Sequence, residues 1–204
     1  MTKILIATKN PGKLSEISNF LKDLKIQTLS LKDIRINDDV VENGKNYKEN
    51  SQKKAIYYAK KSGLPTIADD GGFEIDALGG APGIKSRRWL GKESTDEEII
   101  AHMLKISKTL PDSNRKAKFK TVVSFATPMG KVWSAEGQTI DGIIPKKPYL
   151  KISKGYPYRS FLYLPVVKKF YHEKDLSEKE QKLYNHRYKA IQKLLPIISK
   201  VLSI

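Results

Sequence analysis

The sequence predicts an α/β fold built on a mixed β-sheet, and three observations lead there. A short apolar run, KILIA at 3–7, passes directly into a segment with helical periodicity. The same order returns when a helical stretch from about Tyr47 to Ser62 gives way to LPTIA at 64–68. A strand-rich region, KFKTVVSFATP and then GKVWSAEGQTIDGIIP, follows over 118–145. Helices that alternate with strands, followed by clustered strands, are the pattern of helices packed on a sheet.

Taken in order, KILIA is a short buried strand, and KLSEISNFLKDL (13–24) sets Leu14, Ile17, Phe20, Leu21 and Leu24 on one helical face. The helix from Tyr47 stops at Gly63, a natural C-cap. LPTIA is the next strand, and it is expected to end by delivering the chain to Asp69 and Asp70. STDEEIIAHMLKI (94–106) offers two capping boxes, Ser94 with Glu97 or Thr95 with Glu98. The strand-rich region reads as a hairpin with a long second arm. A last helix starts near the Ser177/Glu180 capping box and carries Leu183, Arg187, Ala190, Ile191 and Leu194; Pro196 should kink or end it.

Bulk properties narrow the function classes. The chain has 204 residues, room for one large domain or two closely fused lobes. No apolar run approaches the ~20 residues that cross a bilayer, and the run in MTKILIATKN is too short for a secretory signal. The expectation is a cytoplasmic protein with no membrane partner. Cysteine is absent, which excludes disulfides, a thiolate nucleophile and zinc–thiolate sites. Net charge is +16 and uneven: residues 1–100 hold 17 Lys+Arg against 15 Asp+Glu, residues 101–204 hold 21 against 7. A field of that sign attracts polyanions such as nucleotides or nucleic acid.

Three stretches could carry chemistry. ATKNPGK (7–13) joins a strand to a helix, where free N–H groups and the positive end of the helix dipole suit a phosphate. Within it Asn10 can donate an amide hydrogen bond, Gly12 lets the backbone approach closely and Lys13 adds charge; it lacks the spacing of a Walker A loop. VENGKNYKENSQKKA (41–55) supplies Glu42 from a loop, then Glu49, Lys53 and Lys54 from a helix. IADDGGFEID (67–76) puts two carboxylates behind an apolar run. Strand ends are where α/β proteins carry functional groups, and Mg²⁺ is commonly held by one or two carboxylates plus substrate phosphates. Successive strand side chains point to opposite faces, so Asp69 and Asp70 should have different tasks.

Together the strings ATKNPGK, ENG-x-x-Y-x-EN-x-x-x-KA and SGLPTIADDGGFEIDALGGAPGIKSRRWLG closely resemble the inosine/xanthosine triphosphate pyrophosphatases, house-cleaning enzymes for non-standard purine nucleotides. Thinner matches continue through EG at 136–137, DGII at 141–144, GY before YLP at 155–165 and NHRYKA at 185–190. The resemblance implies a single pyrophosphatase domain over 1–204, with a long curved mixed sheet flanked by helices and two lobes holding a nucleotide cleft between them. It implies hydrolysis of a nucleoside triphosphate such as ITP, XTP or dITP to the monophosphate and pyrophosphate, with Mg²⁺ as cofactor and a homodimer as the assembly. By position, Thr8, Lys9, Asn10, Gly12, Lys13 and Lys54 carry over as phosphate contacts, Lys54 rather than Lys53 matching the family lysine. Glu42 and Asp70 carry over as metal ligands, and Asp70 also as proton acceptor. Gly71, Tyr156, Pro157, Tyr158, Arg159, His186 and Arg187 carry over as further substrate contacts.

The departures fall on base recognition. A family serine is here Gly71, and the family's GFGYDP is GYPYRS at 155–160, which puts Arg159 in place of an aspartate. A guanidinium can only donate, so the base preference is expected to be altered or broadened, with Tyr156 kept as a stacking surface. The family lysine before the SHR motif aligns with Gln181, beside Lys182. His102 reads as surface or packing, His172 as a loop residue without a partner pattern, and Trp89 and Trp133 as core or interface. Two other readings stand beside the leading one. A Maf-type nucleotide pyrophosphatase is disfavoured by the ADDGG and ALGGAPG strings; a basic nucleic-acid-binding protein lacks any RNP, GXXG or zinc-finger pattern.

Overall fold

The structure, a computed structural model, describes residues 2–149, 152–172 and 174–204. Its strands are β1 (Thr2–Ile6), β2 (Ile26–Ser30), β3 (Thr66–Ile75), β4 (Lys116–Ala126), β5 (Val132–Gln138), β6 (Gly142–Ile143), β7 (Tyr163–Leu164) and β8 (Lys169–Phe170). Its α-helices are α1 (Pro11–Phe20), α2 (Tyr47–Ser62), α3 (Asp96–Thr109), α4 (Glu178–Tyr184) and α5 (His186–Leu202). The eight strands form one mixed sheet in the order β2-β1-β3-β4-β6-β7-β8, with β5 paired to β4. β1 runs parallel to β2 and β3, whereas β6, β7 and β8 pair antiparallel. Among the described residues no helix is long and apolar enough to cross a membrane.

The chain divides into two compact units. The first takes the chain up to Asp70, then Thr121–Gly137 and Arg187–Ile204; the second takes Gly71–Lys120 and Gln138–His186. In the first, β1 is buried on both faces, and its side chains sort by parity. Ile4 and Ile6 join Ile67, Val123 and Phe125 beneath α1 and α5, where Ile17, Leu21, Ala190, Ile191, Leu194 and Ile198 lie. Leu5 and Ala7 join Ala68 and Ala126 beneath α2, where Ala55, Tyr58 and Ala59 lie. The two-residue period of strands therefore makes the odd positions of β3 face α1 and α5 and the even positions face α2.

The second unit is built around Phe73, Phe119 and Tyr158, with ring centroids 4.9 and 5.2 Å from Phe73. Ile99 and Met103 of α3 close one side, the Thr95/Glu98 pair having formed the capping box. The loop after β3 folds back on that strand: Ile75 N donates to Ala81 O at 3.2 Å and Phe73 N to Ser86 Oγ at 2.9 Å. That return leaves no space at Gly72, where a Cβ would meet Gly83 O at 2.0 Å. His102 and Trp89 pack edge to face at 4.6 Å, and in the first unit Trp133 stacks on Phe125, as core readings require.

Several expectations are corrected. β3 does not end at the aspartates; it continues through both glycines to Ile75 because the returning loop supplies bonding partners. α1 begins two residues earlier than expected, with Pro11 at its first turn, and stops at Phe20, since Leu24 N turns onto Leu21 O and the chain must reverse into β2. β2 itself was not anticipated. The second arm of the hairpin is broken between Gln138 and Gly142. The last helix is two: Asn185 adopts an extended backbone (φ −71°, ψ 119°) and separates α4 from α5. Pro196 lies inside α5 without ending it, because Leu194 and Ile198 on either side are anchored in the core.

Gly72→Ala should destabilise the protein by about 2–3 kcal/mol, since the obstructing atom is a backbone carbonyl that cannot rotate away. A thermal melt checks it, and an unchanged midpoint would show that the return loop is not clamped on β3.

Candidate active site

In the first unit the loop between β1 and α1 is shaped by Asn10. Its Oδ1 accepts from Gly12 N at 2.9 Å and Lys13 N at 3.2 Å, while Asn10 N donates to Thr8 Oγ1 at 3.2 Å. Asn10 is thus an N-cap first, and two amides expected to be open to a phosphate are taken by it. Lys9 turns outward to Asn37 O (3.2 Å) and Asp39 (2.9 Å), where it ties down the 37–39 segment. Lys13, half-buried in the first turn of α1, reaches inward to Asp69 instead.

The parity of β3 sends the two aspartates to different partners. Asp69 faces α1 and α5, where its Oδ2 meets Lys13 Nζ at 3.1 Å and Arg187 Nε at 2.9 Å. Arg187 Nη1 also pairs with Glu16 of α1. Burial alone would raise the Asp69 pKa, but the charges of Arg187, Lys13 and Lys54 outweigh it and hold the carboxyl well below the usual range. Arg187 is buried within this ion cluster, and an unpaired carboxylate at Asp69 would be costly.

Asp70 faces α2. Its Oδ2 accepts from Asn50 Nδ2 at 3.0 Å, and its Oδ1 lies 3.8 Å from Lys54 Nζ. The same ammonium reaches Glu42 Oε1 at 3.1 Å, so Glu42, Asp70 and Lys54 converge. Burial raises the Asp70 pKa, Lys54 and Lys13 oppose it and Glu42 adds to it; the net direction is upward. Burial would neutralise Lys54, yet Asp70, Glu42 and Asp69 together keep its pKa raised and its charge in place. Lys53, one residue earlier, hydrogen-bonds Asn43 at the exposed side.

Asn50 is the residue sequence reasoning missed. It is fully buried on α2, one turn before Lys54, and its Oδ1 accepts from Gly44 N at 2.7 Å while its amide holds Asp70. Gly44 has no room for a Cβ, which would sit 2.6 Å from Asn50 Oδ1. The glycine of ENG therefore exists so that the loop can close on Asn50 and carry Glu42 to Lys54. The available signal was an asparagine, a poor helix former, spaced i,i+4 from the motif lysine.

In the second unit the Tyr156–Arg159 segment is mostly interior. Tyr158 belongs to the aromatic core with its hydroxyl donating to Ser86 O at 2.6 Å, and Pro157 is buried at the head of a 3-10 turn (Pro157–Phe161). The Arg159 guanidinium lies 3.8 Å over the Tyr156 ring, so one stacking face of that ring is covered by the cation. A small pocket is lined by Arg159, Tyr171, His172, Leu176, Gln181 and Asn185. Gln181, not Lys182, faces it; Lys182 forms an exposed pair with Glu178 at 3.5 Å. His186 is buried, parallel to Phe119 (5.3 Å, 17°) and 3.1 Å from the Tyr171 hydroxyl. His172 is not an idle loop residue: it is buried, accepts from Lys174 N at Nδ1 and meets Ser153 Oγ at Nε2 (2.9 Å). Gly71, half-buried, sits within β3.

The model of the Ham1 family matches residues 4–197. A dITP/XTP pyrophosphatase of Thermus thermophilus is 38% identical over 193 residues, covering 95% of this chain and 90% of the relative. A protein of the same name from Dictyoglomus thermophilum is 39% identical over 192 residues, covering 94% and 91%. Among solved structures, a HAM1 protein from Coxiella burnetii superposes with a TM-score of 0.81 at 32% identity over 98% of this chain and 100% of its own. The Staphylococcus aureus Ham1 protein gives 0.79 at 29%, over 98% and 99%.

Asp69→Asn should lower stability at neutral pH by about 3–5 kcal/mol, because it removes the buried carboxylate that Arg187 and Lys13 share. The Asp69 pKa is depressed in the folded chain, so the wild type's advantage is complete above the unfolded value of about 4. It should shrink as the pH falls below that, towards the folded value. Denaturant melts of both proteins from pH 8 to pH 3 read this out, and a gap that stayed constant to pH 3 would contradict it.

Proposed function

The chain belongs to the Ham1 family, and from that premise we propose that it hydrolyses non-standard purine nucleoside triphosphates of the dITP/XTP class to the monophosphate and pyrophosphate. The observation that carries this reading is the convergence of Glu42, Asp70 and Lys54, with Asn50 holding the other Asp70 oxygen. One water adds across the α–β anhydride: its oxygen joins one phosphorus, the bond to the bridging oxygen breaks, and its proton passes to a base. Asp70 is that base. Its raised pKa makes it a better acceptor than an ordinary carboxylate. Lys13 and Lys54 offset the charge of the triphosphate, and the Thr8–Gly12 loop fixes the start of α1 beside it.

Mg²⁺ fits the donors. Glu42 and Asp70 offer hard oxygens to a position that already stabilises a cation, and among the described residues no cluster of three or more metal-ligating side chains occurs. A site with two carboxylates suits an ion that takes its remaining ligands from phosphate and water. Bound there, the ion would neutralise developing charge on the phosphates. In the second unit Tyr156, Arg159 and Gly71 are the base-recognition residues, with His186, Pro157 and Tyr158 shaping them. Arg159 donates to carbonyl oxygens, so xanthine, with two, should be preferred to hypoxanthine, with one. The resemblance also supports the whole chain acting as one pyrophosphatase domain, a homodimer and work in the cytoplasm; a solution mass measurement tests the dimer.

A pyrophosphate-release screen over XTP, ITP, dITP, dUTP and the common NTPs, with Mg²⁺, is the deciding experiment. Turnover of the non-standard purines should exceed that of ATP and GTP, and Asp70→Asn should lower kcat by at least about 10²-fold without lowering the melting temperature. Absence of release from every substrate would refute the reading. A kcat/KM for XTP no higher than for ITP would refute the role given to Arg159.

A further inference from the structure

Lys54 occupies the same two oxygens that the proposed reaction assigns to a metal. Its ammonium is 3.1 Å from Glu42 Oε1 and 3.8 Å from Asp70 Oδ1, and only 13% of its side chain is exposed. Two carboxylates this close repel each other, which is why Glu42 raises the Asp70 pKa. The ammonium offsets that repulsion. A divalent ion about 2.0–2.1 Å from those carboxylate oxygens would face the ammonium at close range, and like charges so placed repel. Metal entry would therefore compete with Lys54 for its partners, and a buried ammonium that loses them is costly.

We propose that Lys54 is a placeholder cation that excludes free divalent metal from Glu42 and Asp70 until a polyphosphate arrives to accept it. The inference rests on the reading above that these two carboxylates are the metal ligands. A triphosphate would supply the missing partner: its phosphate oxygens would accept the Lys54 ammonium and leave Glu42 and Asp70 to hold the metal. Metal and nucleotide consequently bind with positive coupling, each raising the affinity for the other by the same factor. The empty enzyme holds little metal of its own. Lys54 thus has a selecting role distinct from binding phosphate, since it makes occupation of the site conditional on substrate. Lys53 supplies the internal comparison: it has the same charge, is one residue away on α2, and is bonded to Asn43 rather than to either carboxylate.

The test measures Mn²⁺ binding without nucleotide, by the loss of the free Mn²⁺ signal in electron paramagnetic resonance. Wild type, Lys54→Met, Lys54→Gln and Lys53→Met are compared, each first confirmed as folded by a thermal melt; either Lys54 variant suffices. Both Lys54 variants should bind Mn²⁺ at least about tenfold more tightly than wild type, as expected for removal of a competing charge in a part-buried site. Lys53→Met should stay within about twofold, which separates local displacement from loss of overall positive charge. Adding Glu42→Gln to Lys54→Met should abolish the gain. Affinity in the Lys54 variants no tighter than in Lys53→Met overturns the proposal, as does a gain that survives Glu42→Gln. Because no turnover is measured, these outcomes are independent of the pyrophosphate screen, and either reading can fail while the other stands.

Discussion

Adjacent residues on a β-strand must face opposite sides of the sheet, and β3 applies that constraint to two carboxylates in succession. The face that receives Ile67 also receives Asp69, and the face that receives Ala68 receives Asp70. Two polar clusters of the first unit are arranged around that separation. Lys13, Arg187 and Glu16 answer the first carboxylate from α1 and α5; Asn50, Lys54 and Glu42 answer the second from α2 and the loop before it. Two acids one peptide apart thereby acquire opposite protonation behaviour. One is driven to remain ionised at any physiological pH, and the other is made more basic than its type.

The two clusters differ in what burial does to them. Around Asp69 the cations dominate, and the carboxylate is a fixed charge that organises its neighbours. Around Asp70 desolvation dominates, since one amide and a shared ammonium do not fully replace water. This is the physical distinction between an anchor and the base that the proposed reaction needs. It follows from the number of cations each helix face presents rather than from the aspartates themselves.

Much of this was legible in the sequence. The period-2 rule assigned the aspartates different tasks, Gly63 ended α2 as read, and the position of the motif lysine selected Lys54 over Lys53. What stayed hidden concerns residues whose partners are remote in the chain. The helix pattern shows Arg187 but not its partners Asp69 and Glu16, more than a hundred residues away. The motif shows Tyr158 but not the aromatic packing about Phe73 that buries it. β3 was ended too early because two glycines resemble a turn until the loop that returns onto them is known. Asn50 escaped notice because its value lies in bridging Gly44 and Asp70, a relation no local pattern contains.

That bridge has a stereochemical consequence. The Gly44 N–H requires an acceptor, so Asn50 must present its carbonyl oxygen there and its amino group to Asp70. The two oxygens of Asp70 are therefore not equivalent. Oδ2 is engaged by a donor that cannot become an acceptor, whereas Oδ1 lies towards an ammonium that can withdraw. Which oxygen of Asp70 stays open to a new partner is thus set by a glycine amide in a loop, acting through one side-chain amide held in a single orientation.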